Sequence, residues 1–220
     1  MKNRKPRNKS SISANKETQK KKKKEIPSYR NIPCDSLNER WCLMYLFELE
    51  KLGYIIKGSI GRSKTYTLFN TVTRNYNKRL KTRSVPMTET LLQAAVYTPD
   101  FVFTLSDKGK KFQLFKDINV DEKLFTRSKY IFLHQKGEVH IEVKGTRFRG
   151  ENDTTEKFSI TKKWLWEKHK VYTNLFTHDK VFPLTWTPAE YLTTDITKQK
   201  RSIKWEVKNI EKYVNEGRKS

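Results

Sequence analysis

The sequence predicts an α/β fold, and three observations predict it. Ser36-Leu37-Asn38-Glu39 matches the S-x-x-E capping box, and apolar residues follow from Trp41 to Leu52 before Gly53 stops the segment. Residues 97–103 and 130–144 alternate with the period of strands, and 159–176 returns to helical spacing with Trp164, Leu165, Val171, Tyr172 and Leu175 as its apolar contacts.

Taken in order, residues 1–28 are nearly free of large apolar side chains and end in the run Lys20, Lys21, Lys22, Lys23, Lys24, so the reading is a disordered basic tail. Its functional reading is an arm that clings to DNA; a localisation signal or a solvated extension is the alternative. Residues 29–220 form the folded domain. In the first helix Glu39 lies three, four and seven positions before Cys42, Leu43 and Leu46, on an apolar, inward stripe where a carboxylate needs a reason. Residues 54–57 and 64–73 read as strands with Gly58 and Gly61 in the turn between them, and the polar, basic stretch 74–84 reads as a loop that could line a DNA groove.

Pro99 can open a strand but cannot sit in its middle, which puts Asp100 at the head of the strand that follows. After a charged insert at 106–129 come strands at 130–134 and 138–144, joined by the turn Gln135-Lys136-Gly137. In the second of these Val139, Ile141 and Val143 point one way while His140, Glu142 and Lys144 point the other. A strand at 181–186 and an amphipathic helix at 202–214, with Ile203, Val207, Ile210 and Val214 inward, complete the chain, and there is no internal repeat.

The bulk charge narrows the partners. The 220 residues hold 47 Lys and Arg against 24 Asp and Glu, a formal net charge of +23. The first 24 residues carry eleven of those bases and one acid, Glu17, so the body is basic without its tail. Nucleic acid is the natural partner, because neutralising phosphates releases counterions whatever the base sequence. No apolar run has the length of a transmembrane helix and the start lacks the apolar core of a secretory signal, so the expectation is a soluble, intracellular protein without a membrane partner. Cys34 and Cys42 form no CxxC pair and support neither a zinc cage nor a disulfide framework; Cys42 reads as a small apolar group on a helix.

Glu142 and Lys144, two apart on one strand face, have Cα atoms roughly 6.7 Å apart and converge on one point in front of the sheet. Asp100, at the head of a neighbouring strand, can complete that point. Two carboxylates with a strand carbonyl and waters make the oxygen donor set that Mg²⁺ or Mn²⁺ accepts, and a lysine beside it can orient water or stabilise negative charge. Taken singly, each residue has a structural reading as well: Asp100 as a turn cap, Glu142 and Lys144 as an exposed ion pair, Glu39 as the closing member of its capping box, and His140 as a satisfied surface histidine.

Pro99-Asp100 and Glu142-Val143-Lys144, followed by Gly145, resemble the PD-(D/E)xK nuclease superfamily. The forms Tyr-Thr-Pro-Asp-Phe and Glu-Val-Lys-Gly are similar to those of phage nucleases and phage-type junction-resolving endonucleases. The resemblance covers about residues 35–186. It implies a restriction-endonuclease-like mixed sheet flanked by helices, in which the Glu39 helix is the first core helix and the helix opening near Lys162 and Lys163 is the second. It further implies catalysis by Glu39, Asp100, Glu142 and Lys144. The metal, Mg²⁺ or Mn²⁺, would sit on Asp100, Glu142 and the Val143 backbone carbonyl with Glu39 adjoining. DNA contact falls to Lys162 and Lys163 and, outside the resemblance and on charge alone, to Lys20 to Lys24 of the tail. The implied activity is endonucleolytic hydrolysis of DNA in phage or mobile-element metabolism, acting in the host cytoplasm, on branched DNA in its sharpest form, with a homodimer placing two cuts. A non-catalytic DNA-binding protein on the same scaffold is the alternative, and RNA stays open as substrate. One departure is visible: the interval between Asp100 and Glu142 exceeds the compact family pattern, which makes 106–129 an insertion.

Overall fold

The computed structural model describes residues 28–119, 130–145, 157–194 and 197–216. The basic run Lys20 to Lys24 lies outside them. Helix α1, Leu37–Lys51, starts where expected: the Ser36 hydroxyl accepts from the Glu39 N–H at 3.2 Å and stops an otherwise orphaned donor from going unpaired. The helix buries Cys42, Leu43, Met44, Tyr45, Leu46 and Leu49, each worth about 1.5–3 kcal/mol for the larger side chains. Cys42 is fully buried, as its place on the apolar stripe predicts.

Short strands β1 (Gly61–Arg62) and β2 (Tyr66–Phe69) follow, then β3 (Val72–Arg79), β4 (Ser84–Leu92), β5 (Ala95–Tyr97) and β6 (Phe101–Thr104). The stretch 74–84, expected as a loop, is instead most of β3 and the turn of a hairpin: β3 pairs antiparallel with β4 from Arg79↔Ser84 back to Val72↔Leu92. Both strands are exposed almost throughout, so no buried apolar alternation exists to announce them, and the ladder rather than a core specifies them. Residues 54–57 contribute only the isolated bridge Ile55↔Leu105.

The insert folds in part as helix α2 (Asp107–Lys110) and strand β7 (Phe115–Asp117), which pairs parallel with β8 (Phe132–His134). Residues 120–129 lie outside the described set. Strand β9 (Glu138–Val143) turns back from β8 through Gln135↔Glu138, as the sequence predicts. Helix α3 runs Lys157–His169 and ends at Lys170, whose φ of 54° breaks the helix, so Thr173–Phe176 becomes strand β10 rather than the helix's last turns. Lys162 and Lys163 therefore stand in mid-helix, not at its opening.

The segment expected as a strand at 181–186 is mostly helix α4, His178–Leu184. Its buried positions His178, Val181, Phe182 and Thr185 follow helical spacing, which outweighs the β-branched and aromatic composition that suggests a strand. Of the helix expected at 202–214, the part before Ile210 is not helical and α5 runs Ile210–Glu216; Ile203, Ile210 and Val214 pack against the core as expected, while Val207 is exposed.

The main sheet is mixed, in the order β1-β6-β9-β10, with β9 antiparallel to β6 and parallel to β10. Its first face carries Phe101, Phe103, Val139, Ile141 and Val143 against α1 and α4. There Tyr45 stacks on Trp186 at 4.0 Å between centroids and hydrogen-bonds Thr185. The second face is covered by the β2–β5 pair and α3, whose Tyr66, Leu68 and Leu165 form a smaller apolar cluster. Among the described residues no helix is long and apolar enough to cross a membrane.

Gly109 in α2 marks the tightest approach. A Cβ there would stand 2.0 Å from the Tyr54 carbonyl oxygen, which also accepts the Ser106 N–H. Gly109→Ala is expected to cost about 1–3 kcal/mol, visible as a lower Tm in a calorimetric scan; an unchanged Tm would show that the Tyr54 turn yields freely.

Candidate functional site

The pairing of β6 with β9 builds the site. Phe101 faces Ile141 and Val102 faces His140, and one further step of that register sets Asp100 opposite Glu142. Alternation then gives both carboxylates the face opposite the main core. At this point β6 ends, and the Asp100 side chain takes over its hydrogen bonding: Oδ2 accepts the Val143 N–H at 2.7 Å. The N–H and C=O of one extended residue point to the same edge, so the Val143 carbonyl also faces the Asp100 side.

Glu142 is buried and fully engaged. Its Oε1 accepts from the Lys144 ammonium at 2.7 Å and its Oε2 from the Tyr97 hydroxyl at 2.7 Å. Lys144 in turn lies over the Phe158 ring near the start of α3. Burial, followed by the charge of Glu142, holds the Tyr97 phenol far above its ordinary pKa, so it acts as a donor throughout the physiological range.

Glu39 joins the cluster through Arg62. The guanidinium reaches Glu39 Oε2 at 2.8 Å, Asp35 Oδ2 at 3.1 Å and Asp100 Oδ1 at 3.8 Å, while stacking over Phe101. The Glu39 carboxylate also accepts from the Ser36 hydroxyl and the Asp35 N–H, so the inward carboxylate is explained twice, by the helix cap and by Arg62. Arg62 and Tyr97 are functional candidates that sequence reasoning misses. Tyr97 stands in the Tyr-Thr-Pro-Asp-Phe string without a role, and the only signal for Arg62 is its place after Gly61.

Asp35, Glu39, Asp100 and Glu142 outnumber Arg62 and Lys144, so the cluster holds surplus negative charge when all are ionised. At Asp100 burial acts first and pushes the pKa up to about 7, with the Glu142 charge adding to it and the Val143 hydrogen bond opposing. That surplus, all of it on hard oxygens, fits a divalent cation held by Asp100, Glu142 and the Val143 carbonyl. The set is lean: among the described residues no three His, Cys, Asp or Glu side chains are grouped to hold a metal ion.

The histidines stand aside. His140 is buried, not on the surface, with Nε2 at 2.6 Å from Glu138 and its ring against Tyr66; burial lowers its pKa. Of the lysines assigned to DNA contact, Lys162 lies over the Tyr172 ring and Lys163 is exposed.

Asp100 is expected to titrate near pH 7 by carboxyl-carbon NMR, whereas a midpoint near 4 would remove the electrostatic case for the site. A raised carboxyl pKa means the native state binds the extra proton, so this contribution to stability is full below about pH 4 and is lost as pH rises through 7. Asp100→Asn should flatten that slope in thermal melts.

No family model matches the chain, and neither does any curated protein or solved structure.

Proposed function

We propose that the chain is a metal-dependent DNA nuclease of the PD-(D/E)xK type with a restriction-endonuclease-like core. The observation that carries the reading is the register of β6 on β9, which brings Asp100 opposite Glu142 with Lys144 on the same face. Asp100, Glu142 and the Val143 carbonyl would hold Mg²⁺ or Mn²⁺. When bound, the ion supplies activation of a water and neutralisation of charge building on the scissile phosphate.

The chain's own residues do the rest. Tyr97 fixes one oxygen of Glu142 and leaves the other to Lys144, whose ammonium would orient the attacking water or meet charge on a phosphate oxygen. Arg62 positions Asp100 against α1, and Glu39 acts through Arg62 as a positioning residue. Affinity for DNA comes from the basic body and from Lys20 to Lys24 of the tail. Cutting of branched DNA by a homodimer, in phage or mobile-element metabolism within the host cytoplasm, is the finer form of the proposal and rests on the motif alone.

One observation favours a second reading, a non-catalytic DNA-binding protein on this scaffold. Lys144 and Arg62 already pair with Glu142, Glu39 and Asp35, so much of the cluster is compensated internally. Supercoiled plasmid and four-way-junction DNA incubated with Mg²⁺, Mn²⁺ or chelator separate the two. Asp100→Ala is expected to reduce Mg²⁺-dependent cleavage to background while DNA binding stays intact or tightens slightly, since a ligand and a negative charge are removed together. Lys144→Ala should slow cutting about 100-fold or more with metal affinity retained, because an ammonium cannot be a ligand. Cutting by Asp100→Ala at the normal rate would overturn the site, and absence of metal-dependent cutting by the unaltered chain on any of these substrates would favour the binding protein.

A further inference from the structure

The hairpin β3–β4 contributes to neither the aromatic core nor the acidic cluster. Its strands lie within residues 72–92, exposed almost throughout, and pack chiefly against each other. At ~3.3 Å per residue the eight residues of β3 make an arm roughly 26 Å long. Its charge is one-sided: Arg74, Lys78, Arg79, Lys81 and Arg83 stand against Glu89 alone, and Lys78 to Arg83 surround the turn.

The register divides the arm into two unlike faces. Arg74, Tyr76 and Lys78 share one with their partners Glu89, Met87 and Val85. On it Arg74 pairs with Glu89 at 2.7 Å and lies over the Tyr76 ring, which leaves Lys78 as the net charge of this face beside the exposed apolar side chains of Tyr76 and Met87. Thr73, Asn75, Asn77 and Arg79 share the other with Thr90, Thr88, Pro86 and Ser84. Apart from Pro86 it is built from amides, hydroxyls and one guanidinium. The Thr88 hydroxyl donates to Asn75 Oδ1 at 2.8 Å, which orients the Asn75 amide.

We propose that this arm is a duplex-DNA reader that lays its Asn75–Asn77–Arg79 face into the major groove while the basic turn holds phosphates. A two-stranded ribbon fits a groove about 12 Å wide. Asn and Arg are the side chains that bind adenine and guanine edges in pairs of hydrogen bonds, and Ser and Thr accept either. The deep, narrow major groove of duplex RNA shuts such a ribbon out.

A second copy of the chain is the rival occupant, and the arm is poorly made for it. Pro86 removes a donor from β4, the register slips between Val72 and Thr73, and two basic turns would repel each other. The inference rests on DNA being the partner, though not on the proposed chemistry, so its test reads binding in chelator, where no cutting occurs.

Fluorescence anisotropy with duplex DNA, duplex RNA and single-stranded DNA, over a range of salt, tests it on the full chain. Asn75→Ala/Asn77→Ala is expected to weaken duplex-DNA binding about tenfold or more, with RNA binding unchanged. Lys78→Ala/Arg79→Ala/Lys81→Ala/Arg83→Ala should reduce the slope of log affinity against log salt by up to about 3. Circular dichroism should show both variants folded, since the altered residues are exposed. Duplex-DNA affinity and salt slope equal to the unaltered chain would overturn the arm as a reader. So would an equal loss on RNA and single strands in the Asn variant, or a change of oligomeric state by sedimentation in place of a change in DNA binding. Nuclease activity surviving with the arm disabled at saturating DNA would leave the active-site reading standing by itself.

Discussion

Phe101 lies against Ile141 across an antiparallel ladder, and almost everything else in the molecule is placed by that contact. Both side chains are fully buried on the face that meets α1, together with Phe103 and Val139. Because side chains alternate along a strand, seating these four inward forces Asp100, Glu142 and Lys144 outward on the same side, and a slip of one residue would send the apolar set to the polar face and the acids into the core. The hydrophobic effect thus specifies the geometry of the acidic cluster at no cost beyond burying the acids themselves. That last cost is visible in the raised pKa of Asp100.

Arg62 and Tyr97 show how the remaining cost is contained. Carboxylates in a low-dielectric setting demand partners, and leaving one without them is expensive. Arg62 serves Glu39, Asp35 and Asp100 from β1, and Tyr97 serves Glu142 from β5, so two short peripheral strands satisfy acids held on the main sheet and the first helix. In the proposed function, the surplus negative charge that remains is what a divalent ion would offset.

Much of this arrangement is legible in the amino-acid sequence. The capping box at Ser36 and Glu39, the strand opened by Pro99, and the alternation through 138–144 are local signals carried by backbone chemistry, and they are where the structure agrees most closely with expectation. The elements that escape detection share a cause as well. Helix α4 is hidden because Val181, Phe182 and Trp186 have strand-like composition while their burial follows a helical period, and β10 is hidden because the break at Lys170 needs a left-handed residue that is neither Gly nor Asn. The hairpin at 72–92 lacks a buried face, and without one there is no apolar alternation to read. Arg62 escapes notice because its three acidic partners come from distant points of the sequence or from the turn before α1, and only folding assembles them.

The hairpin has a further consequence for how the chain can change. An isolated pair of strands is only marginally stable by itself, so the ladder from Val72 to Leu92 can open and close with little reference to the aromatic core around Tyr45 and Trp186. Mutations there escape the packing constraints that govern α1, where each buried side chain must still fit its neighbours. Residues 72–92 are therefore a segment that can be rewritten, or exchanged for another of similar length, without disturbing the pairing that aligns Asp100 with Glu142. If the hairpin reads DNA and the acidic cluster cuts it, as proposed, selectivity and chemistry would be free to evolve at different speeds.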